Sequence, residues 1–143
     1  KIYYARGCTA LLDAIGKTIV HVVNRRKFAP DNEAPGKTMV VIITDGYENA
    51  SREFSLDKVK NMIEHQKEVY NWEFLFLGAN IDAIETARHF GIDEDRAATY
   101  CADSIGTKTN FEAVSGTVSC MRRCQSINSD WKKGIEAYAK KKR

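Results

Sequence analysis

Asp45 follows the apolar run from Met39 to Ile43, separated from it only by Thr44, and is itself followed at once by Gly46. A carboxylate in that place stands at the end of a buried strand, beside a residue with no side chain, where backbone can approach a ligand closely. Capping of the next loop is the plainer use of the same aspartate. The other residues with chemical potential do not assemble into a motif. Gly-Lys-Thr occurs twice, at Gly16-Lys17-Thr18 and Gly36-Lys37-Thr38, but a phosphate-cradling loop needs a further glycine five residues earlier, and Leu11 and Asp31 occupy those positions. The second triplet also leads into a strand rather than a helix. A phosphoacceptor aspartate would need an acidic cluster from an earlier strand end and a supporting lysine, and the aspartate alone is visible. Cys8, Cys101, Cys120 and Cys124 lack metal-ligand spacing, and His21, His65 and His89 are far apart in the chain. With no paired-carboxylate or nucleophile signature, the chain reads as a binding module and not an enzyme. The alternatives are a nucleotide- or phosphate-handling α/β enzyme using Asp45 and a metal-independent interaction domain.

The elements that must position Asp45 follow from periodicity. Leu11, Leu12, Ile15, Ile19, Val22 and Val23 recur at helical spacing, which predicts a helix over residues 10–25 with Thr9 as its cap. Turn chemistry fills residues 28–36, and the β-branched run of residues 38–43 predicts a strand covered on both faces. A helix over 56–68, a strand over 72–77 and a short helix carrying Ile81, Ile84, Ala87 and Phe90 come next, with Gly91 placed for a left-handed stop. A strand over 97–101 precedes a last long helix, for which Thr109 and Glu112 form a capping box and Phe111, Val114, Val118 and Met121 a core face. Trp131, Ile135 and Tyr138 predict a weak terminal helix interrupted by Gly134. Strands alternating with helices give an α/β fold, a Rossmann-like, mostly parallel sheet with helices on both faces.

The chain of 143 residues is the size of one domain, and its composition, 43% hydrophobic and 29% charged, is that of a globular protein. The domain is expected over residues 1–128, with residues 129–143 forming a basic C-terminal tail or weak helix. That tail carries +4 against −1 for the rest of the chain, so it accounts for the whole net charge of +3. Nucleic acid is therefore not the expected partner. No run approaches the ~20 apolar residues of a membrane span. Scattered thiols point to a reduced, cytoplasmic setting, and a start at Lys1 rather than Met reads as a cut or processed chain.

The segments Gly7-Cys-Thr9-Ala-Leu-Leu-Asp13-Ala-Ile15 and Val41-Ile-Ile-Thr44-Asp45-Gly46 together resemble the later two thirds of a von Willebrand factor A-type domain. In that family a metal-ion-dependent adhesion site is built from an Asp-x-Ser-x-Ser segment after the first strand, a threonine before a helix, and an aspartate in a Thr-Asp-Gly turn. Thr9 resembles the second part and Asp45 the third. The resemblance implies Mg2+ or Mn2+ in a complete domain, with a protein partner that adds a carboxylate to the metal. It also makes the loop from Gly46 onward, with Tyr47, Glu48 and Asn49, the candidate partner-binding surface. Asp13 is read as a packing and capping residue. No Asp-x-Ser-x-Ser occurs in this chain, so the resemblance is to a domain whose N-terminal strands are missing, and binding of the ion by this chain is expected to be weak or absent. It further implies that the strand over 38–44 lacks its neighbour. Either residues 2–4 fold back onto it or a second copy pairs with it, and a homodimer through that edge is the expectation.

Overall fold

The computed structural model describes residues 8–30, 32–33 and 36–142. Helix α1 (Leu11–Phe28) leads to strand β1 (Met39–Thr44), then α2 (Leu56–Tyr70), β2 (Glu73–Gly78) and α3 (Ala83–His89). A 3-10 turn, Glu94–Arg96, enters β3 (Ala97–Thr99), and α4 (Ser104–Arg122), a second 3-10 turn and α5 (Lys133–Lys142) complete the chain. The three strands are parallel in the order β1-β2-β3, with Val40 opposite Phe74 and Ile42 opposite Phe76. The fold is thus α/β and Rossmann-like.

Alternation along each strand sorts side chains onto two faces. Val40, Ile42, Phe74, Phe76 and Ala97 meet Ile15, Ile19, Val59, Ile63 and Ala87 of α1, α2 and α3, and Phe90 just past α3, in the larger core. On the other face Val41, Leu77 and Ala98 meet Val114 of α4 and Ile135 of α5. β2 is central, with Phe74 through Leu77 at most 2% exposed. β1 is an edge strand among the described residues, and Ile43 near its end is 46% exposed, so the expectation of a strand covered on both faces is corrected. Residues 1–7, including the segment 2–4 whose folding back was the alternative to a homodimer, lie outside the described residues.

Several local expectations are corrected as well. The last long helix starts at Ser104 and not near Thr109, because Asp103 Oδ1 accepts the Gly106 N–H at 2.7 Å and caps it, while the Thr109 hydroxyl donates to the Ile105 carbonyl inside the helix. The phase of that helix also differs, since Phe111 is 63% exposed and Asn110 and Thr117 are buried. Gly134 does not interrupt the terminal helix. Trp131 and the Lys132 ammonium pin the preceding turn to the Asp95, Glu94 and Ala97 carbonyls, which holds Ile135 against the sheet and offsets the propensity cost of glycine. Gly91 does adopt the left-handed conformation, at φ 74°, and stops α3. No described helix is long and apolar enough to cross a membrane.

Candidate functional site

The carboxyl ends of the parallel strands form a rim, and Thr44 shapes it first. Its buried hydroxyl donates to the Gly46 carbonyl at 2.9 Å and accepts the Gly46 N–H at 3.3 Å, folding the chain into a tight turn directly after β1. The turn leaves the Asp45 side chain exposed at the rim. Gly46 faces Thr9 across a narrow gap, since a Cβ built on Gly46 would stand 3.5 Å from Thr9 Oγ1. Thr9 and Asp45 therefore line the same depression, of about 430 Å³, together with Ile43, Tyr100, Ala102 and Thr107.

Thr9 is held there by backbone and not by its own hydroxyl. Its N–H donates to Asn49 Oδ1 at 2.7 Å and its carbonyl accepts the Asn49 N–H at 3.0 Å. The expected role of Thr9 as the cap of α1 is corrected. The cap position falls at Ala10, which offers no side-chain bond. The amides of the first turn are capped from a distance instead. Leu12 N–H donates to Glu48 Oε2 at 2.8 Å and Asp13 N–H to Ser51 Oγ at 3.0 Å. In the other direction the Asp13 carboxylate accepts the N–H groups of Arg52, Glu53 and Phe54 at 2.9–3.0 Å. The helix start and the loop that leaves Asp45 thus cap one another, and every bond spans 36 residues of sequence or more.

The four loop residues singled out from sequence have separate fates. Gly46 is part of the turn. Tyr47 is 59% exposed, with its hydroxyl 3.4 Å from the Asp82 N–H that donates to it. Glu48 turns inward, and besides Leu12 it accepts from the Ala50 and Ser51 amides and the Ser51 hydroxyl. Burial raises the pKa of Glu48, but these donors outweigh it and hold the carboxyl below its ordinary range. Asn49 is the tether of Thr9. Asp13 likewise lies below the ordinary carboxylate range, held there by the Arg52 amide first, against a smaller effect of burial, and by those of Phe54 and Glu53.

Sequence reading missed Tyr100. It follows β3 at the same rim, lines the depression with Asp45, and has its phenol pushed up by burial and by the negative charge of Asp45. An aromatic residue just past the end of a parallel strand was the available signal. Beyond Tyr100 and Ala102 the depression continues into a cleft of about 770 Å³ bordered by Tyr47, Asp82 and Lys142.

A hard divalent cation takes about six oxygen ligands. Among the described residues the depression is lined by one carboxylate, Asp45, and by the hydroxyl-bearing Thr9, Tyr100 and Thr107, while the Thr44 hydroxyl is engaged with Gly46. Among the described residues no three His, Cys, Asp or Glu side chains are grouped to hold a metal ion. These residues alone do not fit a resident ion. Comparisons with family models, with curated proteins and with solved structures returned no match to this chain.

Proposed function

We propose that this chain is part of a non-catalytic protein-binding module whose recognition point is the rim beside Asp45, in the manner of a von Willebrand factor A-type domain lacking its N-terminal strands. The observation that carries the reading is the meeting of the Thr9 hydroxyl with the Asp45-Gly46 turn, held by a loop and helix start that cap each other. Such reciprocal capping holds Thr9 beside the turn that carries Asp45, which supports a ligand shared between them. Thr9 and Asp45 would supply two of about six oxygens to Mg2+ or Mn2+, and the others would come from outside the described residues, a partner carboxylate among them. Tyr47 and the cleft beyond Tyr100 would contact the partner's polypeptide, while Asn49 would act by holding Thr9 and Glu48 by holding the start of α1.

Paramagnetic broadening by Mn2+ tests the reading on the chain as it stands. At millimolar Mn2+ the amide signals of Thr9, Asp45 and Gly46 should broaden first, and Asp45→Asn should abolish that preference while leaving the fold intact. Broadening spread evenly over surface carboxylates, or unchanged by Asp45→Asn, would overturn it.

A further inference from the structure

Away from the rim, α1 and α2 lie side by side on the larger core, and the seam between them is not filled. Two depressions of about 320 and 460 Å³ share Val23 and Gln66 and so form one continuous groove. It runs from Lys58 to Tyr70 of α2, and twelve helical steps of ~1.5 Å make it about 18 Å long. Val20, Val23, Met62 and Trp72 give it apolar lining, interrupted by Asn24, Asn61, His65 and Gln66, and Val20 and Tyr70 remain 43% and 53% exposed. Met62 is a side chain suited to re-packing around an inserted one. The Trp72 indole N–H, in a residue only 3% exposed, has no acceptor among the described residues.

The charges at the two ends are of one sign. Arg26 and Lys27 stand at one end and Lys58 at the other, and no carboxylate lines the groove. None of the three forms an ion pair among the described residues. Lys27 and Lys58 lie over the rings of Phe28 and Phe54 instead. Cations at the C-terminus of α1 suit its dipole, but that accounts neither for Lys58 near the start of α2 nor for the uncovered apolar strip between them.

We infer that this groove binds an amphipathic helix of a partner protein, about three turns long, whose apolar ridge enters between α1 and α2 and whose flanking acidic residues pair with Arg26, Lys27 and Lys58. Charge selects this occupant over a second copy, because two copies joined groove to groove would oppose their own cations. Shape selects it over a bilayer, since a flat surface cannot reach the recessed Met62 and Trp72. The groove is separate from the Asp45 rim, so the two readings stand or fall independently.

The test uses fluorescein-labelled synthetic helices with leucine at positions 1, 4, 8 and 11 and glutamate near both ends, titrated with the whole chain and followed by anisotropy. Saturable binding should weaken with added salt, fall at least tenfold in Arg26→Glu/Lys27→Glu and in Val20→Asp, and be unchanged in Asp45→Ala. Circular dichroism of each variant checks that it is folded, and Lys58→Glu serves as a second charge variant. Equal binding of peptides with lysine in place of glutamate would overturn the proposal, as would the absence of saturable binding. Self-association abolished by Val20→Asp would assign the groove to a second copy. Flotation with phosphatidylserine vesicles, abolished by Arg26→Glu/Lys27→Glu and without peptide binding, would assign it to a membrane surface. Either result also overturns the proposal.

Discussion

Gly16 lies in the interior of α1, where alanine is ordinarily the better residue by about 0.5–1 kcal/mol. On propensity alone Gly16→Ala should therefore stabilise the protein. The structure reverses that sign, because a Cβ on Gly16 would stand 2.5 and 2.6 Å from Cγ and Cε1 of the Phe54 ring. Phe54 cannot swing away freely. Its amide is bonded to Asp13, Lys58 covers its ring at 4.5 Å, and the ring packs on the larger core. Overpacking of this kind costs about 1–3 kcal/mol, so Gly16→Ala should be net destabilising by about 1 kcal/mol. Removing the ring should restore the propensity gain. In a Phe54→Ala background the same substitution should stabilise by about 0.5–1 kcal/mol, a coupling of roughly 2 kcal/mol between the two positions. Urea unfolding of the four proteins, extrapolated linearly to water, measures each corner of the cycle. The amide signals of Thr9 and Asn49 should also shift in Gly16→Ala, since the displaced ring sits on the loop that tethers them. Stabilisation of similar size in both backgrounds would show that the ring does not fill the space above Gly16, and the account of how the loop is held would fail.

Glu48 carries a pH signature. Its folded pKa lies below the ordinary value near 4.5, so its contribution is complete above that value and is lost as the pH falls through the folded pKa. Glu48→Gln should cost about 1–2 kcal/mol at neutral pH and progressively less in acid, and a gap in urea midpoint that stays constant down the acid limb would refute the assignment. Gly106→Ala should cost about 2 kcal/mol or more, because its Cβ would collide with the Cys101 carbonyl oxygen and stand 3.0 Å from its carbon, and backbone yields less easily than a side chain. An unchanged melting temperature would contradict that. The β1 edge should make the chain dimeric by light scattering, with Val41→Lys giving monomer or insoluble material and Ile43→Lys, at an exposed position, giving folded monomer. A well-folded wild-type monomer at every concentration, or a dimer that survives both changes, would rule out pairing through that edge.

The sequence by itself determined the elements whose cause is local. Six apolar residues at helical spacing make α1, the short β-branched run from Met39 to Ile43 between turn residues reads as a strand, and Gly91 stops α3 because a left-handed backbone suits a residue without a Cβ. The parallel α/β class followed from their alternation, and the turn at Asp45 from the end of that run. The partners of polar groups were not legible in the same way. Thr9 has the composition of a helix cap, yet α1 is capped by Glu48 and Ser51, and Thr109 lost the same role to Asp103, six residues upstream. A capping residue competes with every other acceptor that folding brings within reach, and which one arrives is decided by the path of the loop. The phase of α4 has the same origin, since Asn110 and Thr117 face inward because the sheet and α5 fix how that helix docks, against the preference of Phe111 for burial. The rim itself is the clearest case. Thr9, Asp45 and Tyr100 lie in three separate segments of the chain: the parallel sheet sends the ends of β1 and β3 to the same side, and the Asn49 tether brings Thr9 to them around one depression.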